Sequence, residues 1–214
     1  MRVKICGMMR QKDVEAASNH GADAVGFVVG TPSSRRNLSL AEASELMKNV
    51  PLFTSTVAVT STCDRKILQN IIAKLNPDLL QLHNPDLNTV SGISKRNPGL
   101  PLILATQICN AESIAKAEVL AKYSDALIAD SPSELGIGGT GRVHDWKLTA
   151  RLRNRIYPKP LILAGGLTVS NVRDAIRKVK PFGVDVSSGV ERAIGVKDDY
   201  KMKVFIKRSK GSEC

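Results

Sequence analysis

The feature that most constrains this chain is a strand-like segment followed by a helix-like segment, a pattern that repeats eight times along 214 residues. Most of the strand-like segments are continuous apolar runs, which are typical of parallel strands that protein covers on both faces. Eight such units in one chain of this length predict a single (β/α)8 barrel, the TIM-barrel fold, rather than an open sheet. The predicted sheet is parallel and has eight strands.

The predicted elements follow one another without a linker. Strands are predicted at residues 2–6, 23–28, 54–60, 79–83, 100–106, 126–130, 160–164 and 183–187. Helices are predicted at about residues 11–20, 40–49, 64–75, 87–96, 111–122, 146–155, 170–179 and 198–210. Ser39 and Glu42 have the spacing of a capping box before the second helix. No low-complexity segment or charge block divides the chain, so residues 1–214 are predicted to form one domain.

The composition disfavours several classes of protein. No apolar run approaches the roughly 18–20 residues of a membrane span, and the chain starts directly on a strand rather than on a signal peptide. We therefore expect a cytoplasmic protein with no membrane partner. The four cysteines, at positions 6, 63, 109 and 214, show no CxxC spacing, which disfavours both a disulfide framework and a thiolate metal site.

The chain carries a formal net charge of +11, for which nucleic acid, an anionic substrate or a solvated basic surface could be the reason. The densest basic stretch runs from Lys197 to Lys210, on the last predicted helix. Aromatic residues make up only 4% of the chain and do not alternate with the basic ones, so stacking platforms for nucleobases are not expected. We interpret the basic stretch as a solvated helix face and predict no nucleic-acid partner.

Three consecutive strands, the sixth to the eighth, each lead into a turn that is rich in glycine or serine. In a barrel of this kind the active site lies at the carboxyl ends of the strands, and the loops after strands seven and eight commonly hold a phosphate. Small residues expose backbone N–H groups and hydroxyls that can bind such an anion. The predicted phosphate-binding residues are Gly139, Gly141, Gly165, Gly166, Ser187, Ser188 and Gly189.

The strand ends carry a set of short motifs in a distinctive order. They are Lys4-Ile5-Cys6-Gly7, Gly26-Phe27, Gln81-Leu82-His83, Asp130, Gly138-Gly139-Thr140-Gly141, Asp145-Trp146, Leu163-Ala164-Gly165-Gly166-Leu167 and Val184-Asp185-Val186-Ser187-Ser188-Gly189-Val190-Glu191. From about residue 2 to residue 206, this pattern resembles the phosphoribosylanthranilate isomerases of tryptophan biosynthesis. The resemblance implies an isomerase that converts N-(5′-phosphoribosyl)anthranilate to 1-(2-carboxyphenylamino)-1-deoxyribulose 5-phosphate, an Amadori rearrangement.

The resemblance also implies roles for individual residues. Cys6 matches the base of the family, Asp130 its acid, and Arg36 the arginine that binds the anthranilate carboxylate. The loop before Arg36 is one residue longer than is common, so Arg35 could take this role instead. Asp185 alternates with two valines and should face the barrel interior, where a carboxylate needs a partner; we assign it to substrate binding or to ordering the site. His83, at the end of the fourth strand, is interpreted as a hydrogen-bonded residue outside the catalytic set.

General acid–base chemistry suffices for such a rearrangement, because the iminium intermediate itself is the electron sink. We therefore predict no cofactor and no metal. To donate a proton at neutral pH, Asp130 needs a raised pKa, which burial beside an anionic substrate could supply. To accept a proton, Cys6 must be a thiolate, and nearby positive charge or backbone donors are expected to lower its pKa.

Other functions stay open on the sequence alone. Indole-glycerol-phosphate synthase, another phosphate-binding barrel, is expected to carry lysine and glutamate at strand ends, and pentose-phosphate epimerases carry metal-binding histidines there. A basic nucleic-acid-binding protein and an inactive barrel that only binds a sugar phosphate are further alternatives. We favour the isomerase, acting on a small phosphorylated sugar substrate as a monomer or a homodimer.

Overall fold

The chain forms a closed barrel of eight parallel strands with eight helices around it, in a computed structural model that describes residues 1–131 and 145–211. The barrel strands β1 to β8 are Arg2–Cys6, Ala24–Val29, Ser55–Thr60, Leu79–His83, Leu102–Gln107, Ala126–Asp130, Leu161–Leu163 and Gly183–Val186. The helices α1 to α8 are Gln11–Asn19, Leu40–Lys48, Arg65–Leu75, Leu87–Arg96, Ala111–Ala121, Trp146–Ile156, Val172–Val179 and Asp199–Lys210. Each strand pairs with its neighbours in parallel, and β1 pairs with both β8 and β2, which closes the barrel.

The predicted barrel is confirmed, and the predicted ends of its strands and helices lie within two residues of the observed ends. The capping box before α2 is also confirmed, because the Ser39 hydroxyl accepts from the Glu42 N–H and the Glu42 carboxylate accepts from the Ser39 N–H. Three small elements were not predicted. They are a two-residue strand beside β2 (Asn37–Leu38), a single turn of 3-10 helix (Ser188–Val190), and an antiparallel hairpin of Glu191–Ala193 with Val196–Lys197.

Alternate strand residues fill two different regions of the core. Ile5 and Phe27 are fully buried against the helices, together with Phe205 of α8. Burial of side chains of this size contributes ~1.5–3 kcal/mol each, so this layer between strands and helices is the main source of stability. Because successive side chains of a strand point to opposite faces, the neighbours of Ile5, Lys4 and Cys6, point into the barrel.

The longest described helix, α8, has 12 residues, and none of the described helices is a candidate membrane span.

Candidate active site

One pocket opens at the carboxyl ends of the strands, and it brings together every predicted site residue that the structure describes. These residues are Cys6, Arg36, Asp130, Gly165, Gly166, Asp185, Ser187, Ser188 and Gly189. The predicted phosphate-binding residues Gly139 and Gly141 lie outside the described residues. The pocket therefore collects side chains from β1, β6 and β8 and from the loops after β2, β7 and β8, as expected for a barrel of this class.

Asp185 faces the barrel interior as predicted, and its partner there is a lysine that the sequence analysis did not single out. Lys4 lies opposite Asp185 in the register of β1 and β8, and Lys4 Nζ donates to Asp185 Oδ1 over 2.9 Å. Burial by itself would lower the pKa of Lys4, but the charges of Asp185 and Cys6 outweigh it, so the net pKa is raised. Lys4 thus stays an ammonium ion that is paired with Asp185, a residue of the pocket lining.

Cys6 ends β1 and is buried, with only 8% of its surface exposed. Gly26 of β2 makes room for the thiol, since a Cβ placed there would lie 2.9 Å from Cys6 Sγ. Burial raises the pKa of Cys6; Lys4 and Lys197 act in the opposite direction without cancelling this effect, and Asp185 adds to it. The expectation of a lowered pKa for Cys6 is therefore wrong, because desolvation outweighs the nearby positive charge.

Asp130 ends β6 and has the raised pKa that an acid at this position needs. Burial raises the pKa of Asp130 to about 6, and Asp185 adds to that shift. The N–H of Ser131 donates to Asp130 Oδ1 over 2.7 Å and, like Lys4, moves the pKa the other way. A measurable fraction of Asp130 is therefore protonated near neutral pH.

The loop after β2 presents Arg36, and not Arg35, to the pocket. Arg35 is exposed and does not line the pocket, whereas the two-residue strand Asn37–Leu38 anchors the chain beside β2 and leaves Arg36 at the mouth. Arg36 Nε donates to Glu191 Oε1 over 2.8 Å, and Arg36 Nη2 donates to Glu191 Oε2 over 2.5 Å. The guanidinium is therefore fixed by a fork-shaped ion pair with a carboxylate.

Glu191 has a second cationic partner in Lys197, whose side chain is completely buried. Lys197 Nζ donates to Glu191 Oε1 over 2.9 Å and to the carbonyl oxygen of Cys6 over 2.6 Å. The interpretation of Lys197 as part of a solvated helix face is wrong, because it lies on the hairpin before α8 and points inward. A two-residue strand has no periodicity that sequence analysis could detect, so Lys197 was missed.

His83 and Gln81 line the opposite side of the pocket. The Nε2 atoms of the two side chains lie 2.8 Å apart, so the imidazole accepts from the amide NH2 group. Burial lowers the pKa of His83 to about 4, and Lys4 adds to this effect. A neutral, hydrogen-bonded imidazole agrees with the interpretation of His83 as a residue outside the acid–base pair.

The loops after β7 and β8 present backbone rather than bulky side chains to the pocket. Gly165 and Gly166 have φ values of +81° and +63°, which favour glycine. A Cβ at Gly165 would lie 2.7 Å from Asp130 Oδ1, and a Cβ at Gly189 would lie 1.9 Å from the Leu167 carbonyl oxygen. Side chains at these positions would therefore displace the acid or separate the two loops.

No group of three or more His, Cys, Asp or Glu residues in ranges 1–131 and 145–211 is arranged to hold a metal ion. Cys6 is buried, whereas Cys63 and Cys109 are exposed. The site is thus an acid, a thiol and two buried ion-pair networks around a cradle of small residues.

Comparison with known proteins finds relatives along nearly the whole chain. The family model described as N-(5′phosphoribosyl)anthranilate (PRA) isomerase matches residues 3–208. The N-(5′-phosphoribosyl)anthranilate isomerase of Methanothrix thermoacetophila is 43% identical over 209 residues, which cover 97% of each protein.

Two solved structures are also similar over 99% of each chain. One is a phosphoribosyl anthranilate isomerase in complex with reduced 1-(o-carboxyphenylamino)-1-deoxyribulose 5-phosphate, with a TM-score of 0.85 and 32% identity. The other contains monomers generated from the dimeric phosphoribosylanthranilate isomerase of Thermotoga maritima, with a TM-score of 0.85 and 31% identity.

Proposed function

Because the chain belongs to the N-(5′-phosphoribosyl)anthranilate isomerase family, we propose that Cys6 and Asp130 are the base and the acid of its reaction. The protein is an isomerase of tryptophan biosynthesis that converts N-(5′-phosphoribosyl)anthranilate to 1-(2-carboxyphenylamino)-1-deoxyribulose 5-phosphate. The observation that best supports the assignment is that Cys6 and Asp130, from β1 and β6, line the same pocket. Strand ends separated in this way can reach different sides of a bound sugar.

The proposed mechanism needs one proton donated and one removed. Asp130 gives its proton to the ring oxygen of the aminofuranose, the C1–O bond breaks, and a Schiff base with the anthranilate nitrogen forms. The Cys6 thiolate then takes the proton from C2, the C–H electron pair forms a C1=C2 double bond, and the π pair of the C1=N bond moves onto the anthranilate nitrogen to give an enolamine. Tautomerisation of the enolamine gives the ketone. The iminium is the electron sink, so no step calls for a metal or a cofactor.

The remaining predicted residues would hold the two anionic ends of the substrate. The anthranilate carboxylate is assigned to Arg36, which lines the pocket while Arg35 does not. The 5′-phosphate is assigned to the small-residue loops around Gly165, Gly166, Ser187, Ser188 and Gly189, together with Gly139 and Gly141. Asp185 is assigned to the ribose, since Lys4 holds one carboxylate oxygen and the other can accept from a hydroxyl.

Turnover measured by anthranilate fluorescence tests the acid–base assignment. Cys6→Ser and Asp130→Asn should each lower kcat by at least about 100-fold while KM stays within a few-fold, because general acid–base groups contribute about 10²–10⁴-fold each. Cys109→Ser, at an exposed cysteine, is the matched control and should keep full activity. Near-normal turnover of Cys6→Ala would remove Cys6 from the mechanism.

We further propose that the enzyme is a cytoplasmic homodimer. A patch of exposed apolar residues at the amino-terminal end of the barrel supports the dimer. Leu52 and Phe53 are 90% and 95% exposed, and Phe182 is 54% exposed beside the cavity that Phe53 lines. An apolar patch of this kind is typical of an interface, and the relative from Thermotoga maritima is dimeric. Phe53→Glu should halve the mass measured by light scattering; an unchanged mass would exclude this surface.

A further inference from the structure

We propose that Glu191, held in place by Lys197, is a positioning residue that directs one edge of Arg36 toward the substrate carboxylate. The inference rests on the proposed role of Arg36 in binding that carboxylate. It assigns a function to an ion-pair network that the acid–base mechanism itself does not use. The inference is supported by the free donors of the guanidinium, the contacts of Glu191, the path of the Arg36 side chain and the charge of the network.

The first observation is which donors of Arg36 are already occupied. A guanidinium has five N–H donors in a fixed plane. Glu191 accepts from Nε and from one hydrogen of Nη2, at 2.8 and 2.5 Å. Among the residues that the structure describes, only Glu191 accepts from the guanidinium, so the edge formed by Nη1 and the second hydrogen of Nη2 can bind another carboxylate. A planar carboxylate can bind that edge through two parallel hydrogen bonds. Glu191 thus selects the edge that Arg36 offers to a ligand.

The second observation is that Glu191 is itself held on several sides. Glu191 and Lys197 are directly paired across the small hairpin, and their side chains form an ion pair of 2.9 Å. The same Lys197 ammonium donates to the carbonyl oxygens of Cys6 and Ser187, over 2.6 and 3.2 Å. Lys201 Nζ donates to the Glu191 carbonyl oxygen over 2.9 Å. The position of Glu191 is therefore tied to the ends of both β1 and β8.

The third observation is the path of the Arg36 side chain. A Cβ at Gly7 would lie 2.5 Å from Arg36 Cδ, so the stem of the arginine crosses directly over the backbone that follows Cys6. Gly7 has a φ of +73°, which also favours glycine. The stem is thus confined on one side by Gly7 and its head by Glu191. Rotamers that are fixed before binding do not have to be ordered by the substrate, which favours affinity.

The fourth observation is the charge of the network. The Lys197 ammonium donates to four acceptors, which are the carboxylate of Glu191, the carbonyl oxygens of Cys6 and Ser187, and the Ser187 hydroxyl. One carboxylate between Lys197 and Arg36 leaves a single positive charge, which a substrate carboxylate would balance. Buried ion pairs seldom stabilise a fold more than apolar packing would. We therefore attribute the network to the orientation of Arg36 rather than to stability.

The test is a double-mutant cycle on KM, because a positioning residue has no effect once the residue that it positions is gone. Glu191→Gln keeps the shape but presents an amide NH2 to Arg36. It should raise KM by about tenfold or more and leave kcat within a few-fold, as expected for loss of binding that is equal in ground and transition states. In an Arg36→Ala background, Glu191→Gln should leave KM unchanged. Glu118→Gln, which breaks an exposed pair with Arg155, is the control and should change neither constant.

Inhibition by inorganic phosphate gives a second readout, since a wholly structural defect would disturb both ends of the pocket. The inhibition constant should stay within about twofold in Glu191→Gln. If KM is unchanged in Glu191→Gln, or rises by the same factor in the Arg36→Ala background, the inference is wrong. If Arg36→Ala itself leaves KM unchanged, the proposed role of Arg36 fails instead. Should Glu191→Gln not fold, Glu191→Asp, which withdraws the carboxylate by one methylene, is held to the same criteria.

Discussion

The most informative perturbation of this enzyme is pH, because the acid and the base have pKa values in an unusual order. Burial raises the pKa of Asp130 to about 6, while burial raises the pKa of Cys6 above its ordinary value of 9.0. The productive form needs Asp130 protonated and Cys6 ionised, which is the reverse of the dominant form. Because the acid has the lower pKa and the base the higher one, the productive form is the minor form at every pH.

The expected profile of kcat/KM follows from the two pKa values. Below about pH 6, Asp130 is already protonated. Each further drop of one pH unit lowers the fraction of Cys6 thiolate tenfold, so kcat/KM falls. Between the two pKa values, the thiolate gained on raising the pH is offset by the carboxylic acid lost, so activity stays level. Above the pKa of Cys6 only the loss of acid continues, and activity falls again.

Thiol alkylation of the enzyme without substrate shows independently which residue causes the acidic limb and which the basic limb of the kcat/KM profile. The phosphate of the substrate also titrates near pH 6, so kinetics alone would leave the acidic limb ambiguous. The rate of Cys6 alkylation by iodoacetamide, resolved by mass spectrometry from Cys63 and Cys109, should rise tenfold per pH unit up to at least pH 9. A Cys6 titration centred near pH 6 would reverse the assignment and refute the reasoning.

Three further predictions concern Asp130, the phosphate cradle and metals. At pH 8, Asp130→Asn should raise the free energy of unfolding, measured by urea denaturation, by up to about 3 kcal/mol. Folding raises the pKa of Asp130 from 3.8 to about 6, which destabilises the ionised form by that amount. Because the folded pKa is the higher one, the gain should disappear as the pH falls toward 4. Gly166→Ala should weaken inhibition by inorganic phosphate about tenfold or more, and Ser188→Ala only a few-fold, because backbone approach matters more than the hydroxyl; equal effects would misplace the phosphate. Turnover should survive dialysis against EDTA, and its loss would revive a metal site.

The barrel could be predicted from the sequence because each of its strands and helices is encoded by a short, continuous segment of the chain. Each apolar run is long enough to identify a buried strand, and six of the eight described helices begin after a residue whose side chain caps the first turn. The pocket could be predicted in the same way, because Cys6, Asp130 and Asp185 lie at or near the carboxyl ends of strands, and these ends meet at one face of a barrel. The glycine turns after β7 were recognisable because few other residues accept a positive φ.

The electrostatics of the site could not be predicted in the same way. Lys4 pairs with Asp185 across the closure of the barrel, 181 positions along the chain, so only the register of β1 and β8 reveals the pair. Lys197 is one of 31 basic residues, and its burial depends on a hairpin too short to have a pattern. The raised pKa of Cys6 likewise depends on how completely β1 and its neighbours exclude water, which no motif records.

The internal charges also explain how one pocket could distinguish the two ends of its substrate. Lys4 is balanced by Asp185, so this ion pair carries no surplus charge, whereas the network of Arg36, Glu191 and Lys197 carries one positive charge. A planar carboxylate suits the free edge of a guanidinium, while a tetrahedral phosphate suits backbone donors in loops of small residues. In the proposed pose the substrate therefore binds in one direction, and its C1 and C2 atoms are held between Asp130 and Cys6.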